Sequence, residues 1–333
     1  MKLLMFSTDR KLFESNSNVL DRMIKLSSKY DKLIIVVLSL KKNSLVQFEP
    51  NDKLLIIPTN SANRLLYIFN AFSLGRQLIK REKFEAEDEI TCQDPFEVGL
   101  IGYFLKKSFN LKLELQIHTD LYSPYFASHS ILNRIRLIIV RFTLPTANKI
   151  RVVSGKVAES LISRGISKNK IEIRPIEVDL SKFTLPISFS LKRKYPEFNK
   201  IILIVSRLEK EKGIDLAIKA FSELQVIKKD VGLVIVGDGR ERNSLYNKCI
   251  ELGIQDWVKF EGWQNDLNSY YKGADLLLVT SYYEGYGLVF KEAQACGCKI
   301  VSTDVGIARE VGAIIVSRLV SDIAEVLLKT LKS

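Results

Sequence analysis

Two glutamates with seven residues between them are the residues of this sequence best placed to do chemistry. Glu284 and Glu292 enclose a glycine-containing stretch, EGYGLVFKE, with Gly285 and Gly287 between them. A helix is expected to begin near Gly287, and the backbone amides at its start could hold an anion. Glu292 would lie about one turn inside that helix, a position that a surface glutamate could equally occupy.

Two further clusters in the same half of the chain contain cations and glycines. Arg207 and Lys212 lie in SRLEKEKG, directly after the apolar run IILIVS. Two fixed cations on one strand-to-helix loop suit a diphosphate, although a solvated helix start would have the same sequence. Gly237 and Gly239 follow VGLVIV, and this pair either lets the backbone approach a ligand or forms only a tight turn.

A single histidine stands out in the first half of the chain. His118 follows the apolar run LKLELQI and is one of only two histidines. At the end of a strand, beside Thr119 and Asp120, it could be catalytic or structural, and its position alone leaves both open.

All these residues follow predicted strands, and this shared position is why we group them. Ligands bind beyond the carboxyl ends of the strands in parallel α/β sheets. Apolar, β-branched runs predict strands at Lys2–Ser7, Lys32–Leu40, Lys53–Pro58, Glu89–Gln93, Lys112–His118, Lys149–Val153, Lys170–Ile173, Lys200–Ser206, Val231–Gly237, Val258–Glu261, Asp275–Thr280, Lys299–Ser302 and Ala313–Val316. Helical patterns between them include Asn63–Lys83, Gly213–Leu224, Arg240–Leu252 and Gly287–Cys296. The alternation predicts an α/β fold with doubly wound parallel sheets covered on both faces.

The length and one irregular stretch predict two domains. At roughly 100–200 residues per domain, 333 residues are enough for two. The stretch from Arg174 to Lys200 carries three prolines and has no clear period. We therefore expect an N-terminal Rossmann-like domain at 1–178, a linker at 179–195 and a C-terminal Rossmann-like domain at 196–333.

Composition narrows the class of protein. Hydrophobic residues make up 47% and charged residues 26%, which excludes a disordered chain, a collagen and a disulfide-stapled miniprotein. Four cysteines are too few for a disulfide framework, and no Cys/His set is spaced as a zinc site. The N-terminal apolar stretch is too short for a signal peptide, and no run is long enough to span a membrane. These features predict a cytoplasmic protein whose membrane contact, if any, is peripheral.

The positive charge is concentrated in the first half of the chain. The net charge is +12, yet residues 1–175 hold 28 Lys+Arg against 17 Asp+Glu, while the remainder is nearly balanced. Within this half, SILNRIRLIIVRFTLP combines Arg134, Arg136 and Arg141 with apolar residues. It could be a basic amphipathic helix on an anionic membrane, or a core-facing helix with solvated arginines.

Taken together, the ordered motifs resemble those of the retaining glycosyltransferases of family 4 (glycosyl transferases group 1). The resemblance spans most of the second half, through SRLEKEKGIDLAIKAF, LVIVGDGRERNSL, VKFEGW and YYKGADLLLVTSYYEGYGLVFKEAQACGCKIVSTDVGIARE. It is thinner in the first half, where it rests on ITCQDPFEVGLIGYFL, the His118 segment and RVVSGKVAESLISRGI. It implies a GT-B fold, in which two Rossmann-like domains face each other across a cleft.

The resemblance also implies roles for the grouped residues. Arg207 and Lys212 match cations that hold a donor diphosphate, and Glu284 matches a glutamate that contacts the donor sugar. Glu292 matches a glutamate that binds the nucleotide ribose, and His118 matches a histidine that reaches the donor sugar. The remaining expected donor-binding positions are Gly237, Gly239, Gly285, Gly287 and Leu288, and Arg134, Arg136 and Arg141 are placed on the membrane or acceptor side.

The implied activity is transfer of a hexosyl group, with retention, from a nucleotide-diphosphate sugar to a lipid-linked or glycan acceptor. Cell-surface polysaccharide or glycolipid synthesis would use such an enzyme, with no metal or other cofactor expected and no nucleic-acid partner. A sugar-nucleotide epimerase of similar fold, or a non-catalytic basic protein that binds lipid or RNA, remains an alternative. The chain departs from the family in the loop STDRKLFESNSN, which lacks glycine, in IEVD at 176–179, and in its short C-terminal region.

Overall fold

Strands and helices alternate along the chain in the computed structural model, which describes residues 1–332. Every predicted strand is present, with ends that differ by a few residues. Residues 1–153 and 157–174 form one compact unit, and residues 154–156 with the chain from Pro175 onward form the other. Two Rossmann-like α/β units are thus confirmed, although the boundary lies near residue 174 rather than 178.

The first unit is built on an eight-stranded sheet. Its strands are β1 (Lys2–Ser7), β2 (Lys32–Val37), β3 (Phe48–Asn51), β4 (Leu54–Pro58), β5 (Glu89–Cys92), β6 (Lys112–Ile117), β7 (Lys149–Val152) and β8 (Ile171–Ile173). They lie in the order β3-β4-β2-β1-β5-β6-β7-β8, and β3, which the sequence did not predict, is antiparallel to β4. Its helices are α1 (Asn18–Ser27), α2 (Tyr67–Arg81), α3 (Glu97–Phe109), α4 (Pro124–His129), α5 (Ile131–Thr146) and α6 (Gly155–Ile162).

At β6 the sheet has one polar face, whose side chains are nonetheless largely covered by the protein. In β6, Leu113, Leu115 and Ile117 are buried, whereas the alternate residues are Glu114 and Gln116. The Gln116 side chain donates to Thr91 Oγ1 at 3.0 Å. Because side chains alternate between faces, β6 packs an apolar core on one side only and presents a hydrogen-bonded polar layer on the other.

The second unit has a six-stranded, all-parallel sheet. Its strands are β9 (Lys200–Val205), β10 (Val231–Val236), β11 (Val258–Gly262), β12 (Leu276–Val279), β13 (Lys299–Thr303) and β14 (Ile314–Val316). They lie in the order β11-β10-β9-β12-β13-β14. Its helices are α7 (Ser181–Thr184), α8 (Leu191–Lys194), α9 (Ile214–Ile227), α10 (Arg242–Glu251), α11 (Leu267–Gly273), α12 (Leu288–Ala295) and α13 (Val320–Lys332).

Apolar strands and the three helices α9, α10 and α13 form the main core of this unit. All six residues of β10 are buried, as expected for a strand covered on both faces. Phe221 and Leu224 of α9 and Leu327 of α13 are fully buried in the same cluster. The second sheet is therefore a rigid support for the loops that leave its carboxyl edge.

The segment predicted as a linker packs on the second unit. Phe183 of α7 is fully buried and meets the Tyr271 ring edge to face, with the centroids 5.9 Å apart. Asn268 donates its side-chain amide to the Leu185 carbonyl at 2.8 Å. These contacts make residues 179–195 part of the second unit, because a phenylalanine buried in a core fixes the backbone that carries it.

The structure also gives the length of each helix and the state of the cysteines. Across residues 1–332, each helix is either too short or too polar to cross a bilayer. All four cysteines are free thiols, and three of them are buried.

Replacement of Phe183 by Ala should destabilise the second unit by about 3–5 kcal/mol, because it empties a fully buried aromatic site. Urea unfolding followed by tryptophan fluorescence measures this loss. The matched control is Leu185→Ala, two residues away, where 57% of the side chain is exposed and little change is expected. An unfolding midpoint equal to that of the wild type for Phe183→Ala would show that the segment is a loose linker.

Candidate functional site

The predicted site residues of the second unit meet where the strand order reverses. The strand β9 lies between β10 and β12, so the loops that follow β9 and β12 leave adjacent strands at the same carboxyl edge. Such a switch point opens a crevice in a doubly wound sheet. Arg207 and Lys212 come from the first loop, and Glu284 comes from the second.

An ion pair joins the two loops. Lys212 Nζ lies 2.5 Å from Glu284 Oε1, and both side chains are only 15% exposed. Ser281 Oγ donates to the same carboxylate oxygen at 2.9 Å. The ammonium group and the carboxylate therefore fix each other, and the two remaining ammonium protons are available to a further acceptor.

Backbone contacts hold the two loops together around this pair. The Tyr282 amide donates to the Glu211 carbonyl at 2.8 Å. Thr280 Oγ1 donates to the Gly213 carbonyl at 2.9 Å. Since Lys212 and Glu284 each lie within two residues of these bonds, the relative position of the two charges is set by the backbone and not only by the flexible lysine.

The second cation of the loop, Arg207, is more exposed to solvent. Two thirds of the Arg207 side chain is exposed, and its guanidinium lies 3.3 Å from Glu211 Oε1. Desolvation raises the pKa of Tyr283 to about 12, with a further contribution from the negative charges of Glu211 and Glu284. The structure therefore brings two cations and two carboxylates into one cluster and keeps the Tyr283 hydroxyl protonated.

A buried tyrosine on a neighbouring helix holds the second glutamate of the spaced pair. Glu292 lies on α12, and its Oε2 accepts a hydrogen bond of 2.8 Å from the Tyr271 hydroxyl. Tyr271 is fully buried on α11. Its burial, with the charge of Glu292 beside it, raises the pKa of the hydroxyl well above its ordinary value, so it remains a donor at neutral pH. Glu292 is thus an oriented carboxylate rather than a free surface residue.

The glycine-containing stretch leads into the helix as expected. Gly287 has φ 82°, a left-handed conformation that favours glycine, and α12 begins at the next residue. Gly285 is buried, while Leu288 is 43% exposed at the first position of the helix. The amides at this helix start carry partial positive charge at the same sheet edge as the two cations.

Gly237 and Gly239 have a packing reason for being glycines. A Cβ atom at Gly237 would lie 1.9 Å from the Ser206 carbonyl oxygen, and one at Gly239 would lie 2.4 Å from that of Leu208. The loop after β10 therefore packs directly on the loop that carries Arg207. This contact accounts for both glycines without a ligand, and it places the two loops side by side.

His118 belongs to the first unit, at the end of β6. Desolvation by the surrounding protein lowers its pKa to about 4, and the positive charges of Arg151 and Arg22 act in the same direction. The ring keeps contact with solvent, which moderates the shift without reversing its sign. At neutral pH the imidazole is uncharged, with one nitrogen that donates and one that accepts.

The three arginines expected on the membrane or acceptor side differ in their surroundings. Arg134 and Arg141 are exposed on α5. Arg136 Nε donates to Glu97 Oε1 at 3.0 Å, and its guanidinium lies over the Phe96 ring. Arg136 thus fastens α5 to α3, a structural contact that the sequence pattern did not indicate.

Sequence reasoning missed three residues that hold the charged side chains. Tyr271 reaches Glu292 from another helix, a contact that no spacing in the sequence reveals. Ser281 and Glu211 lie only three and four residues from Glu284 and Arg207, so their short spacing was a signal that could have been used. Trp263 could have been found, because it directly follows β11 and so meets the same strand-end criterion; its side chain is 73% exposed. The amide of Gly237 donates to the neighbouring Gly262 carbonyl at 2.8 Å, which brings the two loops together.

Residues 1–332 contain no group of three or more His, Cys, Asp or Glu side chains arranged to hold a metal ion.

The second unit of the chain matches a known protein family. Residues 190–329 match the family model described as glycosyl transferases group 1. An uncharacterized glycosyltransferase of Methanocaldococcus jannaschii is 35% identical over 137 residues, 40% of this chain and 35% of the relative. The alpha-monoglucosyldiacylglycerol synthase of Streptococcus pneumoniae is 27% identical over 252 residues, 71% of this chain and 55% of the relative. The matches thus span about half or less of these relatives' lengths.

A solved structure resembles the whole chain. HepE of Anabaena, in complex with UDP and glucose, superposes with a TM-score of 0.73 at 18% identity, covering 100% of this chain and 90% of HepE. At that identity the similarity establishes the fold. The chain therefore has the GT-B fold, and its residues 190–329 resemble the glycosyl transferases group 1 family.

Proposed function

We propose that the protein is a glycosyltransferase that moves a hexosyl group from a nucleotide-diphosphate sugar to an acceptor, with retention of anomeric configuration. The observation that carries the proposal is the Lys212–Glu284 pair, fixed between two loops at the switch point of a domain matching glycosyl transferases group 1. A cation and a carboxylate so placed can bind a diphosphate and a sugar hydroxyl at the same time.

The leaving diphosphate is the group that most needs stabilisation in this proposal. As the anomeric C–O bond breaks, both bonding electrons stay with the diphosphate oxygen, and negative charge develops there. Lys212, Arg207 and the amides at the start of α12 oppose that charge from fixed positions, which is worth most in the transition state. These groups supply positive charge from the chain itself, so we propose that transfer needs neither a metal nor another cofactor.

The two glutamates divide the rest of the donor between them. Glu284 would accept hydrogen bonds from hydroxyls of the transferred sugar, since Lys212 and Ser281 fix its carboxylate. Glu292 would accept from the nucleotide ribose, with Tyr271 holding it in place. The Gly237, Gly239, Gly285, Gly287 and Leu288 backbone is proposed to line the donor, and His118 is proposed to reach the donor sugar as a neutral imidazole.

For the acceptor we propose a lipid-linked or glycan molecule at the inner face of a membrane, as in the synthesis of cell-surface polysaccharide or glycolipid. The name of the Streptococcus relative contains a diacylglycerol product, which supports a lipid acceptor. The excess of cations in residues 1–175 supports an anionic surface as the place of reaction.

The proposal is tested by thermal unfolding of the protein with a panel of UDP-, GDP- and ADP-sugars, followed by slow hydrolysis of any stabilising donor. UDP-glucose comes first, because HepE was solved with UDP and glucose. A rise in melting temperature with one nucleotide sugar, together with release of its nucleoside diphosphate, is the expected result. Stabilisation by no nucleotide sugar would contradict the proposal.

Replacement of Lys212 by Ala should lower turnover by about two to three orders of magnitude, because a preorganised cation facing the leaving group is lost. Stability should change little, by about 1–2 kcal/mol, because Glu284 keeps its hydrogen bond from Ser281 when the lysine is lost. The matched control is Lys210→Ala, on the same turn with an exposed side chain. Wild-type turnover in Lys212→Ala would rule out the diphosphate role.

Replacement of Tyr271 by Phe should weaken donor binding about three- to tenfold, because Glu292 loses the donor that orients it. Both this variant and the control Tyr270→Phe, whose hydroxyl donates to Glu261 at 2.6 Å, should lose about 1–2 kcal/mol of stability. Calorimetric titration with the nucleoside diphosphate separates the two effects. Equal affinity losses in both variants would refute a specific role for the Tyr271–Glu292 bond.

The low pKa of His118 predicts how turnover depends on pH. The imidazole is already neutral above about pH 5, so it should contribute no titration near pH 6.5 to the rate. His118→Gln should lower turnover by a similar factor at every pH from about 5.5 to 8. In the unfolded chain His118 binds a proton near pH 6.5, but in the folded chain it does so only near pH 4. The free energy of unfolding should therefore decrease as the pH falls through that window. A variant whose defect disappears at low pH would contradict the neutral imidazole.

A further inference from the structure

The helix α5 has an apolar stripe on its outer face. Ile131, Ile135, Ile138 and Phe142 are between 50% and 76% exposed. Their spacing of four, three and four residues puts them on one line along the helix, about 16 Å long. Single exposed apolar side chains are ordinary on a protein surface, but a line of four large ones on one helix is not.

The opposite face of α5 is already used for packing. Asn133, Val140, Thr143 and Leu144 are its buried residues. Thr143 Oγ1 donates to the Pro95 carbonyl at 2.8 Å, and Arg136 binds Glu97. The helix is therefore fastened to the first unit through one side, and the apolar stripe is the side that points away from it.

The charged side chains of α5 itself have one sign. Arg134 and Arg141, both exposed, lie seven residues apart and so share one flank of the stripe. The sequence contains no Asp or Glu between Asp120 and Glu159, a stretch that also carries Arg136, Lys149, Arg151 and Lys156. A partner for this surface must therefore offer apolar material in the middle and negative charge at the edge.

We propose that α5 lies in the interface of an anionic lipid bilayer, with the stripe in the acyl-chain boundary and Arg134 and Arg141 at the headgroups. An interfacial helix needs this combination of an apolar line and flanking cations. A second copy of the chain fits less well, because a two-fold contact through the same surface sets these arginines against their own copies. This inference rests on the proposed function, because an enzyme that acts on a membrane-borne acceptor must reach the lipid surface. Lipid binding can nevertheless be measured separately, without any measurement of turnover.

The experiment is sedimentation of the whole protein with phosphatidylcholine vesicles that contain either no anionic lipid or about 30% phosphatidylglycerol. We expect binding to the anionic vesicles, weakened by added salt. The double variant Ile138→Ser/Phe142→Ser should bind at least about tenfold more weakly, through loss of apolar insertion. Arg134→Gln/Arg141→Gln should lose about tenfold or more of the preference for anionic vesicles, at about fivefold per cation.

The matched control is Val226→Ser/Ile227→Ser, which removes two apolar side chains of similar exposure from the end of α9 in the other unit. It should bind vesicles as the wild type does. Wild-type protein without preference for anionic vesicles, or α5 variants that bind as well as the wild type, would overturn the proposal. A wild-type dimer that the α5 variant converts to monomer, with no vesicle binding by either, would show that the stripe is a contact between copies instead.

Two additional measurements separate this inference from the proposed activity. The α5 variants should bind the nucleoside diphosphate with unchanged affinity, because their replaced side chains are exposed on the first unit. Lys212→Ala should bind vesicles as the wild type does. Vesicle binding without any nucleotide binding would refute the transferase and leave the membrane helix standing, and the reverse pattern would refute only the membrane helix.

Discussion

The contact between the loops after β9 and β12 is the constraint on which the candidate site of the second unit depends. Two bonds involving backbone groups, Tyr282 to Glu211 and Thr280 to Gly213, bring the chain segments together before any charged side chain is considered. Lys212 and Glu284 then form their pair across a gap that these bonds have set. A long lysine loses much conformational entropy when it is fixed, and a partner held in position by the backbone reduces that cost at the moment of binding.

Much of this arrangement follows from the sequence, because strand ends are visible in it. Apolar runs mark the strands, and in parallel sheets the residues after them must share an edge, so Arg207, Lys212 and Glu284 could be grouped before the structure was known. The hydrogen-bond partners that orient the site carboxylates could not be identified in the same way. Nothing in the spacing says that Tyr271 holds Glu292, because the two residues lie on different helices, 21 positions apart in the chain.

The helix α5 shows a different limit of sequence reasoning. Its apolar residues form two stripes, one through Ile135 and Ile138 and one through Val140 and Leu144. Helical periodicity reveals that stripes exist but not which one faces the core, and here the exposed stripe is the more apolar of the two. The choice is made by neighbours on other elements, here Pro95 and Glu97, which hold α5 by its polar residues. For a similar reason the sequence did not show that residues 179–195 pack on the second unit. Phe183 can be recognised as buried only once the position of its partner ring, Tyr271, is known.

The strands β6 and β7 each have one apolar face and one polar face, which limits the insertions and deletions that they can accept. Leu113, Leu115 and Ile117 alternate with Glu114 and Gln116, and Arg151 of β7 lies in register with Gln116. Inserting a single residue would turn every following side chain over, moving leucine into the polar layer and glutamate into the core. Inserting two residues restores the alternation of apolar and polar side chains. Natural variants of this sheet half should therefore gain or lose residues within β6 and β7 in pairs, whereas the strands of the second unit that are buried on both faces carry no such parity rule.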